Sequence, residues 1–182
     1  MAIYGKPKLV PSTLPNRIYL LASLAGLLCG CAGYKLGPTN GERAGTHSVQ
    51  INPFLNKTTE PRLSASVTSS LRKSVQQDGT YRLETDDHAD IIVTGTVTEY
   101  ERSHISFEPR DIITPRDYHI VMRAQVKATE RATGKVLLNR EVVGRTTVRV
   151  GSDLPSAERQ VIPLMADDLA RRATALLVDG TW

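Results

Sequence analysis

The sequence predicts an α+β fold, a two-layer sandwich with two amphipathic helices packed on one face of a mostly antiparallel four- to five-stranded sheet. Three observations lead there. Segments 91–101, 118–129 and 136–150 alternate apolar and polar side chains, the period of a half-buried strand. Segments 63–75 and 161–177 instead repeat their apolar side chains every three to four residues, the period of a helix. The order is strand, helix, three or four antiparallel strands, helix, so both helices are free to cover the same apolar sheet face.

The elements follow in order. Ser48–Phe54 places Val49 and Ile51 on one side and Phe54 past a proline, a first strand that leaves its sheet at Pro53. Thr58-Thr59-Glu60-Pro61 reads as a helix start, with a hydroxyl cap, an acid and a first-turn proline. Leu63, Val67, Leu71 and Val75 form the helix's apolar stripe, and Asp78-Gly79 stops it, glycine suiting the left-handed end position. Tyr81–Glu84 is a short strand and Asp86–Asp90 a polar turn. In Ile91–Glu101, residues Ile91, Val93, Gly95 and Val97 lie on one side, with Thr94, Thr96, Thr98 and Tyr100 on the other. In Tyr118–Thr129 the apolar face is Tyr118, Ile120, Met122, Ala124, Val126 and Ala128, and His119, Arg123, Gln125 and Lys127 dominate the opposite one. Arg131–Lys135 is a hairpin connection, and Val136–Val150 returns as the next strand. From about Ser156 to Val178 a second helix carries Val161, Met165, Leu169, Ala173, Leu176 and Leu177 inward, with Pro163 as a kink or in the first turn of its main part.

The first 30 residues read as a lipoprotein signal peptide. Lys6, Lys8 and Arg17 are its only charges, and the apolar run Ile18–Leu28 is too short to span a bilayer as a helix. The run ends in Leu28-Cys29-Gly30-Cys31, an apolar residue and two small ones before a cysteine, which suits cleavage and thioether attachment of a diacylglycerol at Cys31. Ala32 in place of aspartate points to the outer membrane. Residues 31–46, rich in glycine with Pro38 and Asn40, form the tether, and 47–182 a single domain. Both cysteines lie at the cleavage junction, so the domain relies on its core rather than on disulfides. Three of the net +4 charges lie in the signal segment, leaving +1 for the remainder and no global argument for nucleic-acid binding.

Catalytic motifs are missing: there is no nucleophile elbow, phosphate-binding glycine loop or paired cysteine motif. Asp86-Asp87-His88-Ala89-Asp90 is the densest group of potential metal ligands, but turns favour aspartate for local hydrogen bonding, and an ordinary turn is expected. Neither a metal, a catalytic residue nor a cofactor beyond the lipid on Cys31 is expected. Two features suit binding. Arg123 and Lys127 share a strand face that Arg145 and Arg149 can join, a basic surface fit for anionic lipid phosphates. The connection 106–117 carries Ile112 and Ile113 between Arg110 and Arg116, bracketed by Pro109 and Pro115, an apolar tip for lipid or a partner protein.

Three stretches resemble a known family. Cys31-Ala32-Gly33-Tyr34-Lys35-Leu36 is similar to the mature start of the LptE lipopolysaccharide-assembly lipoproteins, apart from the extra Ala32. Val49–Pro61 resembles their first strand and its F-x-N-x-T exit into a helix, here Phe54-Leu55-Asn56-Lys57-Thr58. Ala89–Val97 resembles their A-D-x-x-L-x-G-x-V strand. The resemblance implies helices packed on one sheet and a non-enzymatic role. It implies a protein that plugs the barrel protein LptD, assists its assembly and binds lipopolysaccharide on its way to the surface. Cofactors of peptidoglycan synthesis or of a secretion pore share the strand–F-x-N-x-T–helix opening and form the alternative; a hydrolase of envelope polymers is disfavoured by the missing motifs.

Overall fold

The computed structural model describes residues 44–108, 111–149 and 154–179. The signal segment 1–30, Cys31 and most of the 31–46 tether lie outside them. The elements are β1 (Ser48–Ile51), β2 (Leu55–Asn56), α1 (Leu63–Asp78), β3 (Arg82–Glu84), β4 (Ile91–Glu108), β5 (Asp111–Glu130), β6 (Val136–Arg149) and α2 (Leu154–Val178).

The α+β character holds, but the sheet is mixed rather than mostly antiparallel, with six strands among the described residues. Its order is β3-β1-β4-β5-β6, with β2 also on β4. β4–β5 and β5–β6 are antiparallel hairpin neighbours; β1 runs parallel to both β3 and β4, and β2 parallel to β4. The parallel half follows from connectivity. α1 carries the chain back along the sheet, so the strands on either side of it run the same way. β3 is so short that its last residue, paired with Gln50, ends only one register step beyond Val49, where Ile91 opens β4. Six residues therefore suffice to cross β1.

The apolar patterns place the core as expected. Val49, Ile51, Val93, Val97 and the even-numbered face of β5 from Ile120 to Ala128 are buried with Leu63, Val67, Leu71 and Val75 of α1. Val161, Met165, Leu169, Ala173 and Leu177 of α2 complete it. Leu176 departs from its expected place and is 39% exposed, one helical step off the stripe that Leu177 completes. Pro163 lies within the continuous helix. The helices meet partly through hydroxyls: Ser70 Oγ donates to Asp167 Oδ1 at 2.6 Å and Thr174 Oγ1 to Ser74 Oγ at 2.9 Å.

Two local expectations change. α1 begins at Leu63, and Thr58 is not its cap; the N-cap is Arg62, without a side-chain hydrogen bond. Asn56 takes Thr58 instead. Its Oδ1 accepts from the Thr58 N–H (3.0 Å) and hydroxyl (2.8 Å), and its Nδ2 donates to the Glu60 carbonyl (2.6 Å). Residues 56–60 are thus a turn of their own, and the helix waits until it closes. The C-terminal end is as predicted: Gly79 sits at φ 76° and its N–H donates to Val75 O. Tyr100 also changes sides. A bulge at Thr98, between the Val97–Ala124 and Glu99–Arg123 pairs, shifts the parity of β4, so Tyr100 faces Met122 and packs against the core.

Candidate functional site

Two stretches singled out in the sequence, Val49–Pro61 and Ala89–Val97, form two halves of one joint. Phe54 is buried, and its ring fills the space above Gly95: a Cβ there would lie 2.1 Å from Phe54 Cε1. The Phe54 backbone is fixed from α1, its N–H donating to Thr68 Oγ1 at 3.0 Å and its carbonyl accepting from the Ser64 hydroxyl. Asp90 closes the other side. Its Oδ2 accepts from the Ser48 N–H and the Ser48 hydroxyl, both at 2.8 Å, while the Asp90 N–H donates back to Ser48 Oγ at 2.9 Å. These bonds hold the Asp90 carboxyl below the ordinary aspartate range, the Ser48 N–H contributing most. Gln50 Nε2 donates to Asp87 Oδ1 at 2.6 Å, and Asp87 adopts φ 61°. The Asp86–Asp90 segment is therefore a clip across β1, with two of its carboxylates engaged by β1 side chains. Among the described residues no three His, Cys, Asp or Glu side chains are grouped to hold a metal ion.

Among the described residues, the two helices cover one sheet face and leave the other open. Arg123, Lys127, Arg145 and Arg149 all lie on that open face, as strand parity predicts. It is not uniformly basic. Arg123 lies between Glu99 (2.7 Å) and Glu141 (3.3 Å), tying the three long strands together. Arg149 Nε is 3.0 Å from Asp117 Oδ1. Asp117 also accepts from the Ser106 hydroxyl at 2.5 Å, and this bond, then Arg149, lowers its carboxyl's pKa. Glu101 is pushed upward by its hydrogen bond with Glu99 and by that neighbour's charge. Lys127 and Arg145 have no carboxylate of the described residues within ion-pair distance.

The predicted 106–117 loop is a strand continuation. β4 and β5 run on past the Asp117–Arg149 pair, with Phe107 opposite Pro115 and Glu108 opposite Asp111. Register shifts on either side of Ser106 and after Phe107 accommodate a proline that has no N–H to offer a regular ladder. Ile112 and Ile113 lie in β5, Arg116 is half-buried, and Arg110 lies outside the described residues. Among the side chains of this ribbon that the structure describes, Ile105 at 55% and Phe107 at 45% are exposed, and neither was singled out from the sequence. His104 packs edge-on against Tyr118 at 5.1 Å, and Arg102 lies 5.7 Å over the Tyr100 ring. The signal was present in the sequence, since Ser103–Phe107 continues directly from a strand, but two prolines suggested a loop.

The sequence description of the LptE family, lipopolysaccharide-assembly, matches residues 46–177. The chain belongs to the LptE family. The match covers both halves of the β1–β4 joint and the whole sheet. A search of curated proteins finds no match. Among solved structures, a hypothetical protein of Chlamydia trachomatis has a TM-score of 0.56 at 10% identity, covering 74% of this chain and 96% of its own. A protein of Xanthomonas campestris also has a TM-score of 0.56, at 8% identity, covering 80% and 92%. A candidate lipoprotein of Caulobacter crescentus reaches 0.50 at 11% identity, covering 69% and 88%. At such identities the likeness is one of fold. No helix of the described residues is long and apolar enough to cross a membrane.

Proposed function

We propose that this LptE-family chain is an outer-membrane lipoprotein of lipopolysaccharide transport, held at the periplasmic leaflet by lipid on Cys31. It plugs an LptD-like barrel, assists that barrel's assembly and binds lipopolysaccharide during insertion at the cell surface. It works by binding, without catalysis and without a cofactor other than its own lipid. The family match over residues 46–177 carries this reading. The fold supports it: among the described residues one broad sheet face is free of helices, and a ribbon extends with Ile105 and Phe107 exposed.

On that face, Lys127 and Arg145 are the expected phosphate contacts, because Arg123 and Arg149 are already engaged by carboxylates. The test is lipopolysaccharide binding by a Lys127→Glu/Arg145→Glu double variant. Charge-assisted hydrogen bonds contribute about 1.5–3 kcal/mol each, so loss of one or both weakens binding by roughly tenfold or more. Unimpaired binding by the folded double variant removes this face from the proposal.

A further inference from the structure

Among the described residues β6 is the outer strand of the sheet, and an unpaired strand edge is a surface on which another strand readily adds. α2 closes the middle of it. The backbone N–H of Arg145 donates not to a strand but to Asp168 Oδ2 on α2, at 3.1 Å. Asp168 is held by its own helix: Arg172 Nε lies 3.1 Å from the same oxygen and Arg171 3.4 Å from the other. Gly144 permits the close approach, because a Cβ there would lie 2.5 Å from the Met165 carbonyl oxygen and 2.9 Å from Leu169 Cβ.

We propose that Asp168 is an edge guard: its clamped carboxylate occupies the outward N–H at Arg145 and keeps a second copy of this chain from pairing along β6. The charge pattern of the strand specifies that occupant. Alternate residues share an edge direction, so Asn139, Glu141, Val143 and Thr147 present their backbone groups outward with Arg145. When two β6 strands pair antiparallel about Val143, Glu141 of each copy lies opposite Arg145 of the other, and Asn139 opposite Thr147. Two cross-strand ion pairs then form together. The ladder needs the Arg145 N–H that Asp168 holds.

Native mass spectrometry of the full chain, released from detergent, tests the guard. The wild type and Asp168→Asn, which keeps an acceptor oxygen, stay monomeric. Asp168→Ala shifts to a dimer over the same concentrations, and Arg145 amide exchange is fast in whatever monomer remains. Adding Glu141→Lys returns that variant to monomer, and further adding Arg145→Glu restores the dimer by inverting both ion pairs. A folded Asp168→Ala that stays monomeric overturns the proposal, as does dimer formation indifferent to the charge at position 141. If Asp168→Ala does not fold, Arg171→Ala/Arg172→Ala unclamps the carboxylate while leaving it in place. That variant must also move toward dimer, and a monomer there likewise overturns the guard.

Discussion

Replacing Gly95 by alanine should destabilise the domain, although strand preference alone predicts the opposite. Alanine is favoured over glycine within a strand by roughly 0.5–1 kcal/mol. Here the added Cβ would lie 2.1, 2.4 and 2.5 Å from three carbons of the Phe54 ring. The ring has little room to withdraw, since it is 2% exposed and its backbone is bonded on both sides to Thr68 and Ser64. Forcing an extra methyl into a packed core costs about 1–3 kcal/mol. Expelling the ring outright would approach the 3–5 kcal/mol of deleting a buried Phe. We expect about 3 kcal/mol, which for a domain of this size lowers Tm by roughly 10 °C. Urea unfolding is the assay: the midpoint should fall with the slope unchanged. In a Phe54→Ala background the same Gly95→Ala change should cost less than about 1 kcal/mol, a coupling of roughly 2 kcal/mol between the two sites. A Gly95→Ala protein with the wild-type midpoint, or strictly additive effects in the double variant, would refute the lock between ring and glycine.

The remaining predictions concern the clip on β1. Asp90→Ala leaves the Ser48 N–H and hydroxyl without their acceptor and should cost about 1–3 kcal/mol in urea unfolding. The Asp90 pKa is lower in the folded state than in the unfolded one. Its contribution is therefore fully present above the ordinary aspartate pKa of about 4 and is lost as pH falls through the lower folded value. Asp90→Asn should accordingly reduce the steepness with which stability declines on acidification below about pH 4; an unaltered acid limb would show that Ser48 does not hold the carboxylate.

Much of the fold is legible in the sequence wherever one face of an element is buried along its whole length. The even-numbered residues of β5 and the Leu63–Val75 stripe of α1 declare their faces without ambiguity, because period two and period 3.6 are set by backbone geometry. The places that mislead are those where a long-range partner overrides the local pattern. Thr58 has the chemistry of a helix cap, yet Asn56 engages it first. Tyr100 changes face because of a bulge at Thr98, and no local residue pattern announces that shift. The parallel neighbours of β1 depend on how far β3 extends, a property of only three residues. Pro109 and Pro115 made a strand ribbon read as a loop. The candidate site is legible to the same degree. Strand parity places Arg123, Lys127, Arg145 and Arg149 together, but not the carboxylates of Glu99, Glu141 and Asp117 that occupy two of them. Those partners come from neighbouring strands or from the bulged half of β4, and only the register shows them.

The proposed role places this chain inside an outer-membrane barrel in lipopolysaccharide transport. The most direct measurement is to extract the tagged full-length chain from its native envelope in mild detergent and identify what accompanies it. The expected result is a large β-barrel protein in stable association with the chain, with lipopolysaccharide retained in the complex. Recovery of the chain without any barrel, or instead with a peptidoglycan synthase or a secretion pore, would contradict it.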